Sequence, residues 1–351
     1  MAIPRNETVA VHAGSVTIGG DAPVSIQTMW KRPLRSEEVS PVLTAVEEYR
    51  ALGCHLVRFA VPDRDSLGVL GEIAERSVLP VVADIHFDYT LALACMETKI
   101  AKIRINPGNI GGAKKAEEVV RGAAEAGKAL RIGINAGSLP VDLRDAPNIP
   151  VAMVRAAERE LEILEKMGFD QAVFSLKSSN IEHTLRANLL FAGRYPYPLH
   201  IGITEAGPLI PGIVKNTLGV SRLLEAGVGN TLRVSLSDDP ETEIIAARSI
   251  LSAENLLEGG PEIISCPQCG RSTFDVQGFL RENLSTVQTA DKPFTLAVMG
   301  CAVNGPEEAR HADIGITGAG KSVLFFRKGR IVEKGSAQEA PEILKKLIEE
   351  L

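Results

Sequence analysis

Apolar positions along the first two-thirds of the chain fall into short, β-branched-rich runs separated by longer stretches of helical period. The runs are VSIQT (24–28), HLVRFAV (55–61), LPVVADIH (79–86), AKIRIN (101–106), ALRIGIN (129–135), QAVFSLK (171–177), LHIGITE (199–205) and TLRVSLS (231–237). Between them, segments such as EEVSPVLTAVEEYRALG, AEEVVRGAAEAG and ERELEILEKMG repeat apolar residues at three- and four-residue spacing. These three end in Gly, which takes the left-handed conformation of a helix C-cap without steric penalty. Eight strand-then-helix units over about 240 residues predict an α/β chain folded as a (β/α)8 TIM-type barrel. A doubly wound open sheet is the rival, but no G-x-G-x-x-G opens any of the helical segments.

The pattern changes around LEGGPEI (257–263). Beyond it we expect a C-x-x-C turn in IISCPQCGRSTFD and a strand at 294–299 that delivers Cys301 into a Gly/Pro-rich loop. A hairpin in SVLFFRKGRIVEKG and a terminal helix in APEILKKLIEEL should follow. The expected organisation is a barrel domain over 1–259 and a smaller α+β domain over 260–351.

Composition fits this picture and narrows the partners. With 351 residues, 45% hydrophobic and 23% charged, the chain can bury a full core. The net charge of -6 argues against a general nucleic-acid or anionic-membrane partner. The N-terminus MAIPRNETVAVHAGS shows no secretory pattern and no run of about 18 apolar residues occurs, so a cytoplasmic location is expected.

The strands carry unusual side chains. Arg104 and Asn106 share one face of their run, as do Arg131 and Asn135, and Arg233 and Ser235, because side chains alternate along a strand. One Arg in a β-run is explained as well by a structural ion pair. Here, however, Arg58, Asp84, His86, Arg104, Asn106, Arg131, Asn135, Lys177, Thr204, Glu205, Arg233 and Ser235 all fall in the middle or C-terminal part of the runs, toward the end where barrel enzymes build their sites. Four arginines and a lysine converging on one mouth repel one another unless an anion joins them. Planar bidentate arginines with a compact lysine suit a diphosphate better than a single carboxylate. Asp84 and Glu205 add acid-base or hydroxyl-binding capacity, and His86 is either a proton donor or a structural partner of the nearby aspartate.

Five cysteines without an export signal do not form a disulfide framework. Cys54 and Cys95 lie in apolar surroundings and read as core. Cys266, Cys269 and Cys301 remain. A C-x-x-C pair serves a zinc site, a redox dithiol or an iron–sulfur cluster. Zinc would need a fourth ligand, for which His311 is the candidate, and a dithiol leaves Cys301 unused. Three thiolates around a 4Fe-4S cluster leave one iron open for another ligand or substrate, which makes a cluster the preferred assignment.

CPQCGR, VMGCAVNGP, HADIGI, KIRINPGN, RIGINAGS and TLRVSLS match in order and spacing the motifs of another group of proteins. Through them nearly the whole chain resembles the 4-hydroxy-3-methylbut-2-enyl diphosphate synthase family of the methylerythritol phosphate route to isoprenoids. The resemblance implies reductive opening of 2-C-methyl-D-erythritol 2,4-cyclodiphosphate with loss of a hydroxyl as water, two electrons arriving through a 4Fe-4S cluster from reduced ferredoxin or flavodoxin. It implies Cys266, Cys269 and Cys301 as cluster ligands, with Glu308 as the fourth. It places Arg58, Arg104, Arg131, Lys177, Arg233 and Ser235 on the diphosphate, with Asp84, His86, Asn106, Asn135, Thr204 and Glu205 lining the rest and Glu205 nearest the reacting carbons. Two departures stand out: Glu307 replaces a glycine before the expected ligand, and QTMWKRP (27–33) replaces the family's Q-S-M-T-N. The large insert of plant-type members is missing, so the chain is of the two-domain kind.

A homodimer with a shared site is also expected. An eighth helix of about 19 residues from Pro240 to Glu258, roughly 28 Å long, would end on the face opposite the mouth. The cysteines would then cap a second subunit's barrel, as the resembling family is built. The alternatives are an aldolase-like phosphosugar barrel with structural zinc and a non-catalytic iron–sulfur carrier.

Overall fold

A short antiparallel hairpin, β1 (Val11–Ala13) and β2 (Val16–Ile18), precedes eight parallel strands. These are β3 (Ser25–Met29), β4 (Leu56–Ala60), β5 (Val81–Ile85), β6 (Lys102–Ile105), β7 (Ala129–Asn135), β8 (Ala172–Lys177), β9 (His200–Ile201) and β10 (Thr231–Leu232). They pair in the order β8-β7-β6-β5-β4-β3-β10-β9, and a parallel bridge between Phe174 and Leu199 closes the ring. Each is followed by a helix: α1 (Val39–Ala51), α2 (Arg64–Arg76), α3 (Tyr89–Met96), α4 (Ala113–Ala126), α5 (Ile149–Lys166), α6 (Ile181–Ala192), α7 (Leu209–Glu225) and α8 (Pro240–Ala253). This computed structural model describes residues 5–106, 110–257, 259–290, 292–302 and 310–351. The chain divides into two compact units, Met1–Leu257 and Glu258–Leu351.

Local chemistry sets the element ends. Asp63, Asp88, Asn148 and Asn180 cap α2, α3, α5 and α6 by accepting a backbone N–H, each cap worth about 1 kcal/mol. Gly127 and Gly168, at φ 62° and 63°, end α4 and α5. Strand β5 is buried on both faces, as a parallel strand covered by helices must be. Val81, Ala83 and Ile85 turn outward to meet the helices, in a layer that also holds Phe59, Leu70, Ile73, Ile103 and Ile132. Each of these apart from Ala83 contributes about 1.5–3 kcal/mol on burial. Inward, Leu56, Val82, Ala129 and Val173 pack on Val11, Ala13 and Ile18 of the hairpin, which seals the N-terminal end of the barrel.

Three features depart from expectation. Pairing in β9 and β10 is limited to two residues each, because Gly202 (φ 144°) runs against the Arg233 carbonyl, where a Cβ would sit 2.2 Å from the oxygen. The hairpin was not foreseen. Helix α8 has 14 residues, about 21 Å, because the chain turns back at Asn255 (φ 56°).

The second unit is a five-stranded sheet, β11 (Pro261–Ser265), β12 (Phe294–Met299), β13 (Ile314–Ala319), β14 (Ser322–Arg327) and β15 (Arg330–Gly335), in sequential order. The first three are parallel and the last three antiparallel. Helix α9 (Val276–Gln288) makes the β11-to-β12 crossover. Phe294, Leu296 and Val298 face Phe279, Val287, Leu344 and Leu347 of α9 and the terminal helix Ala340–Glu349. On the other face Ala297 and Met299 form a small cluster with Ala312 and Phe326, against which Cys266 packs. The strand β11 arises where only a connector was expected.

Candidate active site

At the C-terminal end of the barrel, Arg58, Asp84, His86, Arg104, Arg131, Asn135, Lys177, Thr204, Arg233 and Ser235 line one cavity of about 120 Å³. The strand period explains the convergence, since Asp84, Arg104 and Arg131 are successive register partners on the inner face of β5, β6 and β7. Glu205 lines an adjoining cavity of about 250 Å³ that shares Thr204, Arg233 and Ser235 with the first. It sits at φ 52°, a left-handed conformation that costs a non-glycine residue on the order of 1 kcal/mol. Asn106 is buried and donates to Ser138 Oγ at 3.0 Å, outside the lining of either cavity.

Asp84 is the hub. Its Oδ1 accepts from Arg104 Nη1 at 2.9 Å, and Oδ2 lies 3.5 Å from Arg58 Nε. Burial alone would push the Asp84 carboxyl up, but Arg58, the His86 contact and Arg104 hold it well below the usual carboxylate range. His86 Nε2 lies 2.7 Å from Arg104 Nη1. The same Nε2 lies 3.5 Å from Asp84 Oδ2, so the imidazole joins the Asp84–Arg104 network.

Among the described residues, two carboxylates form the ion pairs of the many cations. Arg131 gives Nε and Nη2 to Ser175 Oγ at 3.1 and 2.9 Å, and Lys177 donates to the Ile201 carbonyl at 3.1 Å. Burial, then the neighbouring arginines, pulls both groups well below their ordinary range. Burial, opposed by Asp84 and reinforced by Arg233 and Arg104, brings Arg58 to about 10. An arginine keeps its proton in a protein, so this tension is relieved by an anion rather than by deprotonating the guanidinium groups. The mouth can therefore take a small molecule with several negative charges.

The second carboxylate is Glu243, on the first turn of α8 and 1% exposed, which the sequence did not single out. It accepts from Arg233 Nε and Nη2 at 3.2 and 3.0 Å, from the Leu236 N–H at 3.0 Å and from Thr28 at 3.2 Å, with Lys31 at 2.9 Å. Glu243 thus fixes Arg233. Buried Lys102 and His200, lower in the barrel, were also missed.

In the second unit Cys266, Cys269 and Cys301 line a cavity of about 220 Å³ with Arg271, Ser272 and Gly300. Cys266 follows β11 and Cys301 follows β12, and the parallel pairing of these strands sends both to one end of the sheet. The C-x-x-C turn is tied down by Ser272 N–H to the Cys269 carbonyl and Thr273 N–H to the Gly300 carbonyl, at 2.9 and 2.8 Å. Gly300 N–H donates to Cys266 Sγ at 3.1 Å, the kind of bond that tunes a ligating sulfur. Among the described residues no three His, Cys, Asp or Glu converge on a single ion. The thiols instead surround a space suited to a polynuclear centre, so the residues fit an iron–sulfur group. His311 precedes β13 and so lies a strand length, about 16 Å, from the cysteine end of the sheet, which removes it as a fourth zinc ligand. Glu307 and Glu308 lie outside the described residues.

Fold and site together define a TIM-barrel enzyme of the iron–sulfur class. The GcpE TIM-barrel domain matches residues 8–248 and the GcpE protein C-terminal domain matches 262–350, and the chain belongs to the GcpE family. Among curated relatives, one from Treponema denticola is 47% identical over 95% of this chain and 90% of its own length. Another, from Thermodesulfovibrio yellowstonii, is 42% identical over 99% of both. Both are named 4-hydroxy-3-methylbut-2-en-1-yl diphosphate synthase (flavodoxin). Among solved structures, the Yersinia pestis dihydropteroate synthase aligns with a TM-score of 0.51 at 11% identity, covering 71% of this chain and 100% of that one, a likeness of fold alone. Among the described residues no helix is long and apolar enough to cross a membrane.

Proposed function

We propose that this chain converts 2-C-methyl-D-erythritol 2,4-cyclodiphosphate to 4-hydroxy-3-methylbut-2-enyl diphosphate, consuming two electrons and two protons and releasing one water. The observation that carries this reading is the cationic mouth itself: Arg58, Arg104, Arg131, Lys177 and Arg233 line one small cavity, and among the described residues their ion pairs are to Asp84 and, behind Arg233, Glu243. These five side chains hold the two phosphates. His86, held beside Asp84 and Arg104, is placed to give a proton to the oxygen that leaves when the ring opens. Glu205 reaches the carbon skeleton from the adjoining cavity, with Asn106, Asn135, Thr204 and Ser235 completing the polar surround.

Cys266, Cys269 and Cys301 would hold a 4Fe-4S cluster, with Glu308 as the fourth ligand; when bound, the cluster supplies electrons one at a time at low potential. Flavodoxin is the favoured donor over ferredoxin, because the relatives carry flavodoxin in their names. The enzyme acts in the cytoplasm as a homodimer whose sites combine the barrel of one subunit with the cluster of the other. Helix α8 supports this arrangement, since it leaves the mouth at Pro240 and ends on the opposite face at Ala253.

The test is anaerobic purification followed by assay with reduced flavodoxin and the cyclodiphosphate. Brown protein with bound sulfide and formation of the linear diphosphate are expected. Colourless protein containing zinc, or cluster-loaded protein that leaves the cyclodiphosphate unchanged, would overturn the reading.

A further inference from the structure

The barrel floor is apolar, sealed by the β1–β2 hairpin against Leu56, Val82, Ala129 and Val173. Just above it the interior turns polar. Lys102 shares its face of β6 with Arg104 and is fully buried, as is His200 on β9. Neither Lys102 Nζ nor His200 Nε2 has a hydrogen-bond partner among the described residues. The charged groups facing Lys102 are Arg131 from β7 and Arg58 from β4, with His200 of β9 alongside. Its register neighbours Val82 and Ala129 on β5 and β7 offer only apolar surface. Asp84, the acid that lines the mouth, is already engaged by Arg58, Arg104 and His86. Lys177 differs from Lys102 in having an acceptor, the Ile201 carbonyl, and in lining the cavity.

A cluster of like charges this deep sheds a proton where it can, and only a lysine can. We propose that Lys102 is a neutral amine in the free enzyme and takes up a proton when a dianionic diphosphate fills the mouth above it. Lys102 is then a positioning residue that regulates the charge of the site without touching the ligand. The inference rests on the reading of the mouth as a cyclodiphosphate site. Burial first, then Arg131 and Arg58, draw the Lys102 ammonium well below the ordinary lysine range, in keeping with this role. The dianion acts in the opposite sense by offsetting the arginines. Because the floor is sealed, the proton enters through the mouth.

In a cyclic diphosphate each phosphorus has one ester and one bridging oxygen and a single acidic oxygen, ionised far below neutrality. The ligand is thus a dianion across the working range, and any proton taken up on binding goes to the protein. Binding that takes up a proton weakens as pH rises, by up to tenfold per pH unit between the free and bound pKa of the acceptor.

The experiment is titration calorimetry of the oxidised, anaerobic holoenzyme with the cyclodiphosphate at pH 8 in HEPES and in Tris, without reductant so that nothing turns over. Buffers of different ionisation enthalpy report the protons exchanged. The wild type should take up close to one proton, and Lys102→Met much less, with a flattened pH dependence of Kd. Lys102→Gln serves if the Met variant does not fold. No buffer dependence in the wild type, or equal uptake in wild type and variants, overturns the proposal. Absence of any binding heat in the wild type instead sinks the cyclodiphosphate reading and this inference with it.

Discussion

Arg131 has two of its guanidinium nitrogens on Ser175 and a third, Nη1, with no acceptor among the described residues. On the proposed reading, this donor faces a phosphate oxygen of the ligand. Arg131→Leu should weaken cyclodiphosphate binding by about 2–4 kcal/mol, the range for losing one partner of a desolvated charged pair. Calorimetry on the oxidised enzyme measures it, and unchanged affinity would place the phosphates elsewhere. The mouth was legible at this scale because strand alternation makes a repeated inward charge visible in one dimension. Glu243 was not legible. It sits in the acidic first turn of a helix, where a glutamate usually serves the helix dipole, and its partners Thr28, Lys31 and Arg233 come from three other places in the chain.

Elements show where the one-dimensional pattern fails. LHIGITE and TLRVSLS have strand composition throughout, but beyond the Leu199 bridge to Phe174 the ladder is confined to His200–Ile201 and Thr231–Leu232, since Gly202 must pass close to the Arg233 carbonyl. The hairpin β1–β2 escaped notice because three-residue strands leave no periodic trace. In the second unit, β12 was readable from its apolar run, whereas β11, half exposed, was not. The cysteine end of that sheet depends on Gly300, where a Cβ would lie 2.2 Å from Ser272 Oγ. The barrel has its own core, separate from the core of the second unit. Cys301→Ser should therefore lose iron and sulfide while the barrel's unfolding transition, followed by calorimetry, stays in place. Retention of a full cluster would remove Cys301 from the ligand set.

For the whole molecule, the composite-site proposal is testable by subunit exchange. Mixing an Arg131→Leu chain with a Cys301→Ser chain should restore activity to heterodimers, each with one intact pair of barrel and cluster. Demonstrated exchange without recovered activity, or an active monomer, would exclude the shared site. The hairpin plug also has a consequence for traffic. With its N-terminal end stopped by Val11, Ala13 and Ile18, the barrel is a cup, not a tube. Whatever enters the interior leaves by the same doorway. Molecular movement through it is last in, first out.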